Sequence, residues 1–133
     1  MAQEQSEQKW EPDQVARGVV HIQWYATLFR GDLFADAVAE WAGPVSLQYG
    51  ATRYTVQRSL DDEYKILQQV WFEGKDDWYR YWEGEEMKEF RARYSGKYQI
   101  PITYVWHEEY AAGGAPVQTL PPADLEPEPS GAA

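Results

Sequence analysis

His21 and His107 are the two imidazoles of this 133-residue chain, and they are the first candidates for proton transfer. A neutral imidazole near pH 7 can take or give a proton, so either could serve as a general base. The competing reading is structural. His107 is followed by Glu108 and Glu109, which marks a solvated strand end as readily as a catalytic rim. For both histidines a structural or ligand-contact role stands ahead of catalysis. Around them Gln23, Tyr25, Tyr49, Arg53, Gln69 and Trp71 fall at strand positions out of phase with the apolar set. Polar and amphipathic groups so placed are the ligand-contact candidates.

Other chemistries have less support. Two histidines with scattered acids form no metal-ligand spacing, so no metal site is expected. The acidic runs Asp61-Asp62-Glu63 and Glu83-Gly84-Glu85-Glu86 read as a turn and a solvated helix face rather than calcium loops. Neither a phosphate-binding glycine loop nor a Gly-x-Ser-x-Gly elbow occurs. Trp78, Tyr81 and Trp82 could stack on a flat ligand, but their helical spacing makes core packing the default.

The elements that must position these residues follow from periodicity. Val20, Ile22, Trp24 and Ala26 alternate with His21, Gln23 and Tyr25, which is the period of a strand. Asp32 is the expected cap of a short helix whose apolar stripe is Leu33, Ala37 and Trp41, flanked by Phe34 and Val38 and ended by Gly43-Pro44. Val45–Arg58 and Tyr64–Glu73 read as a hairpin across the turn Ser59–Glu63, with Gly50 as a bulge or bend. Asp76 is the expected cap of an aromatic helix that Gly84 kinks or splits and Gly96 ends; a last strand lies within Gln99–Tyr110. The order β-α-β-β-α-β predicts an α+β, ferredoxin-like fold, a four-stranded antiparallel sheet with two helices on one face. The expected boundaries are an N-terminal arm at 1–16, the domain at 17–112, and a disordered Pro/Gly/acidic tail at 113–133.

The uncovered sheet face would carry His21, Gln23, Tyr25, Tyr49, Arg53, Leu67, Gln69, Trp71, Val105 and His107. Such a face is too aromatic for open water and too polar for a dry core, so a homodimer that closes it around a lined cavity is expected. On this element order, with Trp71-Phe72-Glu73 ending a strand, Asp76-Asp77-Trp78 opening a helix and Glu85-Glu86-Met87 preceding Phe90, residues 17–110 resemble the dimeric α+β barrel superfamily. That group includes antibiotic-biosynthesis-monooxygenase-like proteins, haem-degrading monooxygenases and polyketide cyclases. The resemblance implies a homodimeric barrel and several possible chemistries. The chain has no asparagine, and both histidines lie on strands, so the haem-degrading pattern finds no match. No cofactor is expected.

Composition bounds the partners. Net charge is −10, yet residues 1–16 hold four acids against one lysine and 113–133 hold three acids and no base. The domain is therefore only mildly acidic, which argues against nucleic acid and against anionic membranes. The absence of cysteine and of an N-terminal apolar run leads to an expected cytoplasmic location. Two functions follow. The favoured one is a homodimer that binds a small organic ligand or serves assembly; the alternative is a cofactor-independent monooxygenase or cyclase acting on an aromatic or polyketide-like substrate.

Overall fold

A computed structural model describes residues 18–116. The expected arm at 1–16, with Trp10, lies outside the described residues, as do residues 117–133 of the expected tail. The first strand, β1, spans Gly18–Tyr25, and the helix α1 spans Gly31–Ala37. A π turn follows at Val38–Ala42, then the short helix α2 at Gly43–Ser46 and a 3₁₀ turn at Leu47–Tyr49. The hairpin is β2, Ala51–Arg58, and β3, Lys65–Phe72; helices α3, Lys75–Trp82, and α4, Glu85–Arg93, lead to β4, Thr103–Glu108. All pairings are antiparallel and the strand order is β2-β3-β1-β4, so the two central strands are β3 and β1. This is the expected ferredoxin-like architecture.

Alternation in β1 and β3 builds the core. Val20, Ile22 and Trp24 face the helices together with Ile66, Gln68, Val70 and Phe72, and all are buried. The helices answer with Phe34, Val38, Ala42, Trp78, Tyr81, Met87 and Phe90. The Trp24 indole is the hub, with the rings of Phe34, Trp82, Phe90 and Tyr98 centred 5.2–5.8 Å away. These spacings suit offset and edge-to-face aromatic packing. Trp78, Tyr81 and Trp82 are core, as their spacing predicts.

One polar chain threads this core. Trp24 Nε1 donates to Gln68 Oε1 at 3.0 Å, Gln68 Nε2 donates to Tyr81 Oη at 2.9 Å, and Tyr81 Oη donates to the Ala42 carbonyl at 2.6 Å. Burial pushes the Tyr81 phenol far up, so it stays a neutral donor.

The first helical segment departs from expectation in three ways. Gly43-Pro44 does not end it. Pro44 brings no N–H and its ring would crowd the preceding turn, and the chain passes it by widening into the π turn, where Gly43 N–H bonds the Val38 carbonyl. The segment ends instead at Gly50, left-handed at φ 98°. The core stripe is Phe34, Ala37, Val38, Ala42 and Val45, one residue round from the expected one: Leu33 is 44% exposed and Trp41 is half-buried against Phe90 and Tyr94. Asp32 does not cap either. It sits inside the first turn and pairs with Arg58 at 2.8 Å.

Asp76 likewise makes no capping hydrogen bond, since Gly74 occupies the cap; Asp76 and Asp77 place negative charge in the first turn of α3. Gly84 does split the second helical segment. A Cβ there would lie 2.6 Å from Tyr49 Oη, so the break between α3 and α4 is where Tyr49 docks.

Candidate functional site

The helices cover one side of the sheet, and the other carries three transverse rows fixed by register. Arg53, Trp71, Val19 and His107 form one row. Thr55, Gln69, His21 and Val105 form the next, and Gln57, Leu67, Gln23 and Thr103 the third. The phase of β2 depends on a bulge between Ala51 and Arg53. The extra residue leaves Ala51, Tyr54 and Val56 against the core and sends Arg53, Thr55 and Gln57 to the open face.

The two histidines meet on this face. Their strands are neighbours, their positions are diagonal in the register, and their ring centroids lie 4.2 Å apart at 37°. Gln69 Nε2 lies 3.0 Å from His21 Nε2, while Gln69 Oε1 accepts from Thr55 Oγ1 at 3.0 Å and from Gln57 Nε2 at 3.1 Å. A polar relay thus runs across the sheet from β2 to β1, where the His107 ring of β4 stacks on its end. Among the described residues neither nitrogen of His107 has a hydrogen-bond partner, and its Nδ1 is buried.

Desolvation, and secondarily the neighbouring His107, lowers the pKa of His21 below its ordinary 6.5. The sign follows directly. Above the unfolded value His21 is neutral in both states and the fold keeps the full benefit. As pH falls through 6.5 toward the lower folded value, the unfolded chain binds the proton first and stability declines. Urea midpoints compared at pH 7.5 and 5.5 are expected to drop more for the wild type than for His21→Gln. Equal drops would show that His21 does not contribute to this window.

The remaining expected site residues divide. Arg53 stacks its guanidinium 4.2 Å from the Trp71 ring centroid, and Trp71 Nε1 donates to Glu109 Oε1 at 3.0 Å. Gln23 turns its amide onto the Ile66 carbonyl at 3.0 Å. With Gln57, Arg58, Ser59, Lys65 and Leu67 it lines an open hollow of about 300 Å³. Tyr25 stands at the end of β1 opposite Lys65, 37% exposed. Tyr49 is the correction. It lies on the 3₁₀ turn, not on a strand, and packs on the helical side with its ring 6.2 Å from Tyr81 and its hydroxyl donating to Glu86. That bond lowers the Glu86 pKa and raises that of Tyr49, so the pair serves to tie the helices together.

Sequence reasoning missed Thr55 and Gln57, the residues that hold Gln69. Their signal was the period-two run Arg53-Thr55-Gln57. Among the described residues no three His, Cys, Asp or Glu side chains converge as metal ligands, and no helix is long and apolar enough to cross a membrane.

No protein-family model matches the chain, and no curated protein matches it. Solved structures do. A candidate antibiotic biosynthesis monooxygenase from Nitrosomonas europaea superposes with a TM-score of 0.65 at 15% identity, covering 74% of this chain and 95% of that one. One of the same description from Caulobacter crescentus gives 0.64 at 13% identity, over 77% and 96%. Another from Bordetella bronchiseptica gives 0.63 at 15%, over 72% and 99%. At such identities the likeness is one of fold, and on fold the expected resemblance holds.

Proposed function

We propose that the open sheet face is the wall of a ligand chamber that a second copy of the chain closes, and that the ligand is a small planar organic molecule bearing a carbonyl or acidic oxygen. The relay Gln69–His21 with the adjoining His107 carries this reading: five polar side chains converge on a face where a monomer would need only water. The three rows contain no carboxylate, and Arg53 adds a cation beside Trp71. A face with little net charge can also meet its own copy across a two-fold axis without repulsion. Solved structures of the same fold are described as candidate antibiotic biosynthesis monooxygenases, which supports a monooxygenase for the second reading.

That second reading is catalytic, and the stacked histidines favour it. A cofactor-independent monooxygenase or cyclase begins by deprotonating an aromatic or polyketide-like substrate, and an imidazole beside a half-buried polar relay suits that step.

Sedimentation at micromolar concentration, with titration of a hydroxynaphthoquinone probe followed by tryptophan fluorescence, tests the reading. A dimer is expected, with quenching that weakens in Trp71→Phe. A monomer would overturn the closed chamber, and a dimer that quenches equally in Trp71→Phe would move the ligand off this face.

A further inference from the structure

We infer that Gln69 is a positioning residue that fixes the tautomer of His21, making His21 a hydrogen-bond donor through Nδ1 and leaving His107 as the imidazole that accepts a proton. The functional half of this rests on the chamber reading above; the tautomer itself does not.

The argument starts from the amide. Both lone pairs of Gln69 Oε1 are engaged, by the Thr55 hydroxyl at 3.0 Å and the Gln57 amide at 3.1 Å. The other end of Gln69 is therefore its NH₂, and it points at His21 Nε2 from 3.0 Å. An N–H can bond that nitrogen only through a lone pair, so His21 is neutral with its proton on Nδ1. A charged His21 would set N–H against N–H and would require Gln69 to turn over. Turning it would oblige Thr55 and Gln57 to reverse as well.

The surroundings favour the same state. His107 stacks on His21 from β4, while Gln69 and Thr55 face it from β3 and β2 without charge. The nearest charged groups of the open face are Arg53 in the adjacent row, Lys65 two rows away and, just past β4, Glu109, whose carboxylate is held by Trp71. Burial and His107 lower the His21 pKa, in agreement with the geometry.

This gives the pair a direction. His21 Nε2 has no free lone pair, so His21 cannot be the base while the relay stands. Its Nδ1–H makes no hydrogen bond within the described residues and can donate to a substrate carbonyl. A neutral imidazole used as such a donor stabilises developing negative charge without itself changing protonation. His107 then takes the proton of the adjacent acidic carbon or hydroxyl onto its Nε2, since its Nδ1 is buried. The electron pair of the broken bond moves onto the substrate oxygen held by His21. The products are an enolate or phenolate and a His107 imidazolium, and no oxidant is consumed. The class of ligand is accordingly a carbonyl compound with an acidic hydrogen beside the carbonyl, or a phenol.

The test reads the tautomer directly. Long-range ¹⁵N–¹H spectra of histidine-labelled full-length protein at pH 7.5 are expected to show His21 protonated at Nδ1. In Gln69→Glu the carboxylate can only accept, so the His21 proton should move to Nε2 and its pKa should rise by about one unit or more. The His107 signals should change little in position, which a general structural collapse would not allow. If Gln69→Glu fails to fold, Thr55→Val with Gln57→Leu removes both donors that lock the amide and should mix the two tautomers. An Nε2–H tautomer in the wild type, or a His21 pKa unmoved by Gln69→Glu, overturns the proposal. An Nδ1–H tautomer in a chain that sediments as a monomer would sustain the relay and reject the chamber, so the two failures are distinguishable.

Discussion

Trp24→Ala is expected to leave the chain without a cooperative unfolding transition. The indole is 1% exposed and touches four aromatic rings that come from α1, α3, α4 and the segment before β4. Removing a buried aromatic costs about 3–5 kcal/mol because the surroundings close only partly over the cavity. The substitution also deprives Gln68 Oε1 of its donor. An unsatisfied buried acceptor costs about 1–3 kcal/mol more. A domain of this size holds about 5–15 kcal/mol in total, so the sum reaches the lower half of that range. Trp24→Phe should fold, since it keeps most of the ring packing, and should lose about 1–3 kcal/mol through the orphaned amide.

Adding Gln68→Leu to Trp24→Phe separates the two effects. With both partners of the hydrogen bond gone, neither is left stranded, so the double variant should be more stable than the sum of the singles implies. Urea unfolding followed by circular dichroism measures all three. Strict additivity would show that the Trp24–Gln68 bond does not contribute, and a normal transition in Trp24→Ala would show that the ring cluster is redundant.

The open face was legible in the sequence because alternation is a local property. Once β1 is in phase, His21 and Gln23 must oppose Ile22 and Trp24, whatever the rest of the chain does. The same holds for Gln69 and Trp71 on β3, where Ile66 and Val70 set the buried phase. Tyr49 was misplaced because two backbone events are invisible to periodicity. The π turn carries the helix past Pro44, and the bulge before Arg53 resets the phase of β2. Between them they convert a residue expected on the sheet into one that sits over Gly84.

The pairing of the histidines was hidden for a different reason. His21 and His107 are far apart in sequence, and their contact depends on β4 lying beside β1. That adjacency is a property of topology rather than of either strand. Likewise Thr55 and Gln57 carry ordinary polar side chains, and nothing in their spacing shows that both point at one amide. The chemistry of the site is thus a tertiary fact written on locally readable strands.

If a second copy closes the open face as proposed, Val105→Asp is expected to convert that dimer to a monomer while leaving the fold intact. Val105 lies on the open face in the His21 row, at the edge strand, and is 55% exposed in the single chain. An aspartate there is solvated in the monomer and should cost at most about 1 kcal/mol of strand preference. Face-to-face association would bury it, once from each subunit. Its row neighbour His21 offers no cation on the proposed tautomer, with Nε2 held by Gln69, and Arg53 lies across the sheet on β2, stacked on Trp71. Leaving a buried charge unpaired costs about 3–5 kcal/mol. At about 1.4 kcal/mol per tenfold, dimer dissociation should strengthen by at least about 100-fold.

Leu60→Asp is the control. Leu60 is fully exposed at the tip of the β2–β3 hairpin, off the proposed interface, and its substitution should leave sedimentation unchanged. If Val105→Asp stays dimeric while Leu60→Asp dissociates, the copies meet at the exposed Leu28, Phe29 and Leu60 end instead. The open face would then be solvent-exposed in the assembly, and its histidines would face water rather than a chamber. If instead Val105→Asp dissociates and also loses the quenching by the hydroxynaphthoquinone, both the second copy and the ligand depend on the same rows of the sheet. That linkage distinguishes a chamber from a surface groove, because a groove would keep its ligand in the monomer.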